Sequence, residues 1–325
     1  MAEGGNGDGN RMENEMREYS REIIWRYLVR KNRRQKTDFI YRTKEVLEEQ
    51  GYSVTIEQGG MTRSRNIVVG DVNQAKVIYT AHYDTCPMMI LPNFVTPRNI
   101  PFYIIYQLIL TILILGGGSL IGYLVSLFTN QAVGGLVTAG TILLFCYQIM
   151  AGIANPNTYN DNTSGVITLI EIALSLPREH RNKVAFVFFD NEELGLLGSS
   201  VFYKMHHKGL QNTPLINFDC VSDGDYILAI ANKKMKKDTV IYDLMKMCLA
   251  SKEEKTVEYL SAASTFYPSD QMKFKKYFGI AAVRKAPILG YYLGRIHTPF
   301  DTVFDERNIS LLSDAMVHFT EQLIQ

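Results

Sequence analysis

Between Arg98 and Asp161 the chain contains no Asp, Glu, Lys, Arg or His, and most of that stretch is apolar. A soluble α/β domain has no evident use for such a segment; a bilayer does. Residues 100–128 are long enough to cross a membrane with some tilt, since about 20 apolar residues suffice. Thr129-Asn130-Gln131 is a turn signal, and residues 132–151 form a second span with no polar face. Gly116, Gly117, Gly118, Gly134, Gly135 and Gly140 would weaken a soluble helix. In a membrane pair, small residues let two backbones approach closely. The competing reading is an apolar hairpin buried in the domain or in an oligomer interface. The length of both halves favours the membrane.

The rest of the chain reads as soluble. At 325 residues it suffices for one large α/β domain or two smaller ones, and a net charge of +1 gives no sign of nucleic-acid binding. Cys86, Cys146, Cys220 and Cys248 show no CxxC spacing and read as reduced thiols of an intracellular chain. Residues 1–12 read as a disordered Gly-rich tail without the apolar core of a secretory signal. Helical patterning spans residues 13–50, with Ile23, Ile24, Tyr27 and Leu28 on one stripe and Gly51 as the stop. Strands are expected at 53–57, 66–69, 76–81, 183–189, 214–218, 226–230 and 279–283. Helices are expected at 164–176, 194–207, 239–250 and 308–323. Such alternation predicts a mixed, mostly parallel sheet sandwiched by helices. The α/β domain is then residues 13–98 and 155–325, with the hairpin inserted as residues 99–154.

Where the strand-like runs stop, a set of acidic and histidine residues appears: His82 and Asp84, Asp161, the pair Glu192-Glu193, Asp219 and His297. Open α/β sheets bind ligands just beyond the carboxyl ends of their strands. Imidazole nitrogens and carboxylate oxygens suit zinc. Two histidines, one shared Asp and two further carboxylates are enough for two three-ligand ions. One carboxylate remains to take a proton from water. Adjacent Glu side chains diverge, so one of the pair can bind metal while the other faces the substrate. Asp84, two residues beyond His82, can lie on the same side of an extended strand end and hydrogen-bond the imidazole.

Five blocks carry a resemblance. They are Ala81-His82-Tyr83-Asp84-Thr85, Asn160 to Val166, Asn191 to Ser199, Asn217-Phe218-Asp219 and His297 to Thr302. In this order they resemble the aminopeptidase Y-like zinc metallopeptidases of family M28, over about residues 53–98 and 155 to the C-terminus. The resemblance implies a zinc-exopeptidase fold and two co-catalytic Zn2+ ions. His82 and Asp219 would hold one ion, Glu193 and His297 the other, and Asp161 would bridge them. Glu192 would be the general base, with Asp84 orienting His82. Ser269-Asp270-Gln271 departs from the family pattern, with Gln271 in place of the usual His. Tyr291 and Tyr292 are weak candidates for an oxyanion-stabilising tyrosine.

The implied activity is peptide hydrolysis, in this family mostly from peptide N-termini. The expected partners are a peptide substrate and the lipid bilayer, with a homo-oligomer through the hairpin as a further option and no nucleic acid. Other readings are a catalytically silent membrane scaffold and a glutaminyl cyclase-like transferase. The chain is expected in the cell membrane with two spans. A hairpin returns the chain to the side it left, and Arg98 beside the first span agrees with a cytoplasmic catalytic domain. Residues 21–36 carry seven basic side chains, read as the solvated face of a helix packed on the sheet or, less favoured, a contact with anionic lipid.

Overall fold

A computed structural model describes residues 16–89 and 91–325 of the chain. The tail expected over residues 1–12 lies outside the described residues. The first helical region is two helices, α1 (Glu18–Arg26) and α2 (Arg33–Glu49). Asn32 accounts for the restart. Its side chain accepts from the Gln35 N–H, and the Gln35 side chain reciprocates, which closes a capping box. Gly51 ends the region at φ 87°, a conformation that suits glycine.

The strands are β1 (Val54–Gly59), β2 (Ser64–Val69), β3 (Val77–His82), β4 (Val184–Phe189), β5 (Leu215–Phe218), β6 (Tyr226–Ala231), β7 (Thr256–Ser261), β8 (Tyr277–Ala286) and β9 (Gly290–Tyr292). They join in the order β1-β2-β4-β3-β5-β8-β6-β7, and β9 extends β8. The centre is parallel: β3 pairs with β4 and with β5, and β5 with β8. The flanks include the antiparallel pairs β1–β2, β2–β4 and β6–β8. Every residue of β3, β4 and β5 is buried, the mark of central strands covered on both faces. The remaining helices are α3 (Ile100–Phe128), α4 (Gln131–Ala151), α5 (Gly165–Ser175), α6 (Leu197–His206), α7 (Lys233–Lys237), α8 (Thr239–Cys248) and α9 (Glu306–Ile324). One face of the sheet packs Tyr79, Phe186 and Phe218 against α5 and against Met316 and Phe319 of α9. The other packs Phe189 against Phe202 of α6 and Phe274. β7, β9 and α7 escaped the sequence reading.

The insert is two long helices with their side chains turned outward. Among their described residues only Leu110, Gly118, Gly122 and Gly134 are buried. The hairpin therefore does not lie in the domain core, and both helices are long and apolar enough to cross a membrane. The glycines divide into two groups. A Cβ on Gly118 would lie 2.7 Å from Ile142, and one on Gly122 2.5 Å from the Gly134 carbonyl oxygen. Gly116, Gly117, Gly135 and Gly140 face open space instead. Close approach thus explains Gly118, Gly122 and Gly134, not the whole set.

Candidate metal centre and active site

The central strands deliver the site. His82 is the last residue of β3, Asp190 to Glu193 follow β4, and Asp219 follows β5. Asp161 lies in the tight turn before α5, and His297 in the loop after β9. All seven residues proposed from the sequence converge here. His82 Nε2 lies 3.4 Å from Asp161 Oδ1 and 3.6 Å from Asp219 Oδ1. His297 Nε2 lies 3.0 Å from Asp161 Oδ2 and 3.2 Å from Glu193 Oε2. Asp161 thus turns one oxygen toward each histidine.

The Asp161 turn is held on several sides. Asp301 accepts the N–H groups of Asn160 and Asp161 through separate carboxyl oxygens, each at 3.0 Å. Asn162 Nδ2 donates to the Phe218 carbonyl at 3.0 Å, and its Oδ1 accepts from Gly165 and Cys220 N–H. The Asp161–Asn162 peptide is cis. A buried cation supports the same region: Arg30 Nε donates to the Tyr83 carbonyl at 2.6 Å and Nη2 to Thr163 at 3.1 Å.

Asp84 differs from the sequence expectation in its bonding. His82 Nδ1 meets the Asp84 backbone carbonyl at 3.1 Å, whereas the carboxylate stands 3.7 Å away, beyond hydrogen-bond range. That carboxylate accepts the N–H groups of Glu192 at 2.9 Å and Glu193 at 3.3 Å. Asp84 therefore shapes the Glu-Glu turn as well as steadying the imidazole. Lys36 completes the support of that turn by donating to Asp190 at 2.6 Å and Asn191 at 2.7 Å. The run read as a solvated basic face thus contains two buried cations, Arg30 and Lys36. Their sequence signal, charges on an amphipathic stripe, does not separate them from their exposed neighbours.

The electrostatics follow from burial of many charges together. Burial opposes ionised Asp161, but His297 and His82 outweigh it and hold its carboxyl well below the usual range. Burial also disfavours charged His297, yet Glu193 and Asp161 raise its pKa to about 9. Burial raises Glu193 to about 8, with Asp161 adding to the shift and His297 opposing. Glu192 is pushed well above its ordinary value by burial and by Glu193, Asp270 and Asp219, against His82. Burial lifts Asp270 to about 7.

The donor set fits a cation. Glu193 Oε1 is buried and has no hydrogen-bond partner among the described residues. The donor atoms of His82, Asp161 and Asp219 lie within 4.8 Å of one another, as do those of His82, Glu192 and Glu193. Nitrogen and oxygen donors in this mixture suit zinc. Cys86 brings its thiol within the same distance of Glu193 and His297 donor atoms, so this cysteine borders the Glu193 and His297 side of the site. Tyr291 and Tyr292 are engaged elsewhere: the first donates to Glu258 and the second packs on Phe94. The buried Tyr267, unmarked in the sequence, donates to the Asp219 carbonyl at 3.0 Å. Gln271 is spent internally, accepting from Asn217 at 2.8 Å and donating to the Tyr267 carbonyl at 2.9 Å. His206 Nε2 lies 2.8 Å from Glu57 Oε1.

A mostly parallel sheet flanked by helices, with imidazoles and carboxylates at the ends of its central strands, is the zinc-exopeptidase architecture. The chain belongs to peptidase family M28, whose profile matches residues 151–320. Solved structures share the fold at low identity. Porphyromonas gingivalis glutaminyl cyclase aligns with a TM-score of 0.58 at 15% identity, covering 93% of this chain and 94% of its own. A Zn-dependent exopeptidase from Parabacteroides distasonis gives 0.56 at 13%, with the same two coverages of 93% and 94%. The Legionella pneumophila LapA aminopeptidase gives 0.54 at 14%, covering 94% of this chain and 68% of its own. No curated protein matches the chain. Family and fold together support a hydrolase.

Proposed function

We propose that this chain is a membrane-anchored metallopeptidase that uses two zinc ions and removes residues from the N-termini of short or hydrophobic peptides. The observation that carries the reading is the posture of Asp161, with Oδ1 at 3.4 Å from His82 Nε2 and Oδ2 at 3.0 Å from His297 Nε2. His82 and Asp219 would hold one ion and Glu193 and His297 the other, with Asp161 offering an oxygen to each. When bound, such ions supply Lewis acidity toward the scissile carbonyl and acidify a water. Glu192 takes a proton from the attacking water and passes it to the leaving amine nitrogen as the C–N bond breaks. Asp84 fixes the turn that aims Glu192 by accepting its N–H.

In this reading the hairpin holds the chemistry at a bilayer, supported by two helices long and apolar enough to cross one. Both legs of the insert lead directly to site residues, so the mouth opens near the membrane surface. The charges beside the two feet are basic, Arg98 at one and Lys31 at the other, where Lys31 Nζ donates to the Ala151 carbonyl at 3.2 Å. That bias supports a cytoplasmic catalytic domain.

Glu192→Gln tests the reading. The variant should keep two zinc ions per chain by elemental analysis and lose about 10²–10⁴-fold in turnover of aminoacyl-peptide substrates. Unchanged turnover would place the base elsewhere, and parent protein without stoichiometric zinc would favour a scaffold. Pyroglutamate formation from N-terminal Gln peptides, without peptide hydrolysis, would favour a cyclase.

A further inference from the structure

Four large apolar side chains stand exposed around the feet of the hairpin: Leu91 at 40%, Ile153 at 70%, Ile288 at 84% and Phe300 at 71%. Each belongs to a segment tied to one of the two legs. The Ile153 carbonyl accepts from Met88 N–H at 2.8 Å. The Ile288 carbonyl accepts from Asn99 Nδ2 at 3.1 Å, next to the start of α3. Pro299, just before Phe300, accepts from Asn157 Nδ2 at 2.7 Å. Leu91 lies between Met89 and Pro92, and the Pro92 carbonyl accepts the Tyr106 hydroxyl of α3.

Aromatic rings collar the same level. Phe94 contacts Phe102, Tyr106 and Tyr292 with centroids 5.1–6.2 Å apart. Aromatic side chains concentrate where a membrane protein meets the headgroup layer. Two basic residues stand at the feet: Arg98 is the only charged residue between Asp84 and Asp161, and Lys31 reaches the end of α4. Asp301, adjacent to Phe300, is buried on the Asn160 and Asp161 N–H groups.

We propose that these loop tips form a second membrane-contact surface that inserts shallowly into anionic lipid and presses the active-site mouth onto the bilayer. Phe300, three residues beyond His297, lies in the lipid interface, so substrates enter along the membrane surface rather than from bulk solvent. The class of substrate this favours is a peptide whose apolar part rests in the headgroup layer. The inference rests on the hairpin spanning the membrane, and the test separates the two.

The full chain is reconstituted in vesicles of phosphatidylcholine and phosphatidylglycerol. Trp25→Phe removes the single native tryptophan. Reporters are then introduced one at a time as Phe300→Trp, Ile288→Trp and, within α3, Leu113→Trp. The expected result is blue-shifted emission at all three. Lipid brominated near the headgroup should quench the first two, and lipid brominated deeper in the chain should quench the third. Water-like, unquenched emission at Phe300→Trp and Ile288→Trp beside a quenched Leu113→Trp overturns the contact surface and leaves the anchor standing. Lack of quenching at all three overturns both. In a second arm, Ile288→Asp should lower turnover of a vesicle-bound acylated peptide several-fold and leave a soluble dipeptide unaffected. Equal effects on the two substrates would overturn the proposal.

Discussion

Lys36→Met isolates the buried cation beneath the Glu192-Glu193 turn. Lys36 and Asp190 side chains are 9% and 4% exposed, with 2.6 Å between Nζ and Oδ1. Two unit charges at that distance attract by about 6 kcal/mol at an effective dielectric constant of about 20. Desolvation of the pair offsets part of this gain. Removing one member, however, leaves the other buried and unpaired, at a cost of about 3–5 kcal/mol. Methionine fills most of the lysine stem, so cavity formation adds little. Asp190 keeps the Arg65 N–H at 2.9 Å and loses the cation.

Burial already raises the Asp190 pKa, and Lys36 is the principal counterweight. In the variant it should rise further. An acid whose folded pKa exceeds its unfolded value, about 3.9, destabilises the fold increasingly as pH climbs from the unfolded pKa toward the folded one. The loss should therefore be larger at pH 7 than at pH 5. At about 2–4 °C per kcal/mol for a domain of this size, thermal unfolding in detergent should shift down by roughly 6–20 °C at pH 7. Lys36→Met with Asp190→Asn should recover most of the shift, and turnover should fall with the single change because Asn191 and the Glu pair lose their tether. A loss under about 1 kcal/mol, or a double variant as damaged as the sum of the singles, would refute the assignment of this pair as the turn's support.

Other expectations follow from equally local features. Gly198→Ala would drive a Cβ onto the Asp190 carbonyl, with Asn66 Oδ1 and Asp190 N each 2.7 Å away. It should cost about 1–3 kcal/mol by overpacking, read by thermal unfolding. Gly122→Leu should break the hairpin seam and lower the yield of monodisperse protein on gel filtration, whereas Gly140→Leu, in open space, should not. Burial raises the Asp305 pKa, but its bonds to Arg307 and Lys255 outweigh that and lower it to about 2. A depressed carboxyl pKa stabilises above the unfolded value and loses that effect as pH falls through the folded one. Asp305→Asn should thus be less stable than the parent at pH 7, and denaturant melts should show the gap closing from about pH 4 toward pH 2.

The blocks carrying chemistry were legible because each sits where an apolar run stops, and strand ends are where parallel sheets gather side chains. The hairpin was legible because a long interval without charge is hard to reconcile with a soluble surface. Arg30 and Lys36 were not, since burial of a cation depends on acceptors that arrive from distant segments: Tyr83 and Thr163 for one, Asp190 and Asn191 for the other. The same holds for Asp301, 140 positions from Asp161 along the chain. β7 was missed because its side chains are half-buried without clean alternation. β9 is too short, at 3 residues, to show any period.

The position of the insert has a physical logic. Pro87 and Ala154 form an antiparallel bridge, so the two feet are adjacent, and an insert that returns to its starting point leaves the surrounding fold undisturbed. The legs then do more than carry the chain into and out of the hairpin. Met89 N–H donates to the His297 carbonyl at 2.6 Å, and Asn155 Nδ2 to the Thr298 carbonyl at 2.9 Å. His297 sits at φ 62°, a left-handed backbone that costs a non-glycine residue about 1–2 kcal/mol. A residue in that conformation stays there only if its neighbours fix it, and here the fixing groups are supplied by both legs of the insert. The hairpin and the placement of His297 are therefore coupled through one backbone and one side-chain hydrogen bond, and the proximity of the site to the hairpin follows from how the site is built.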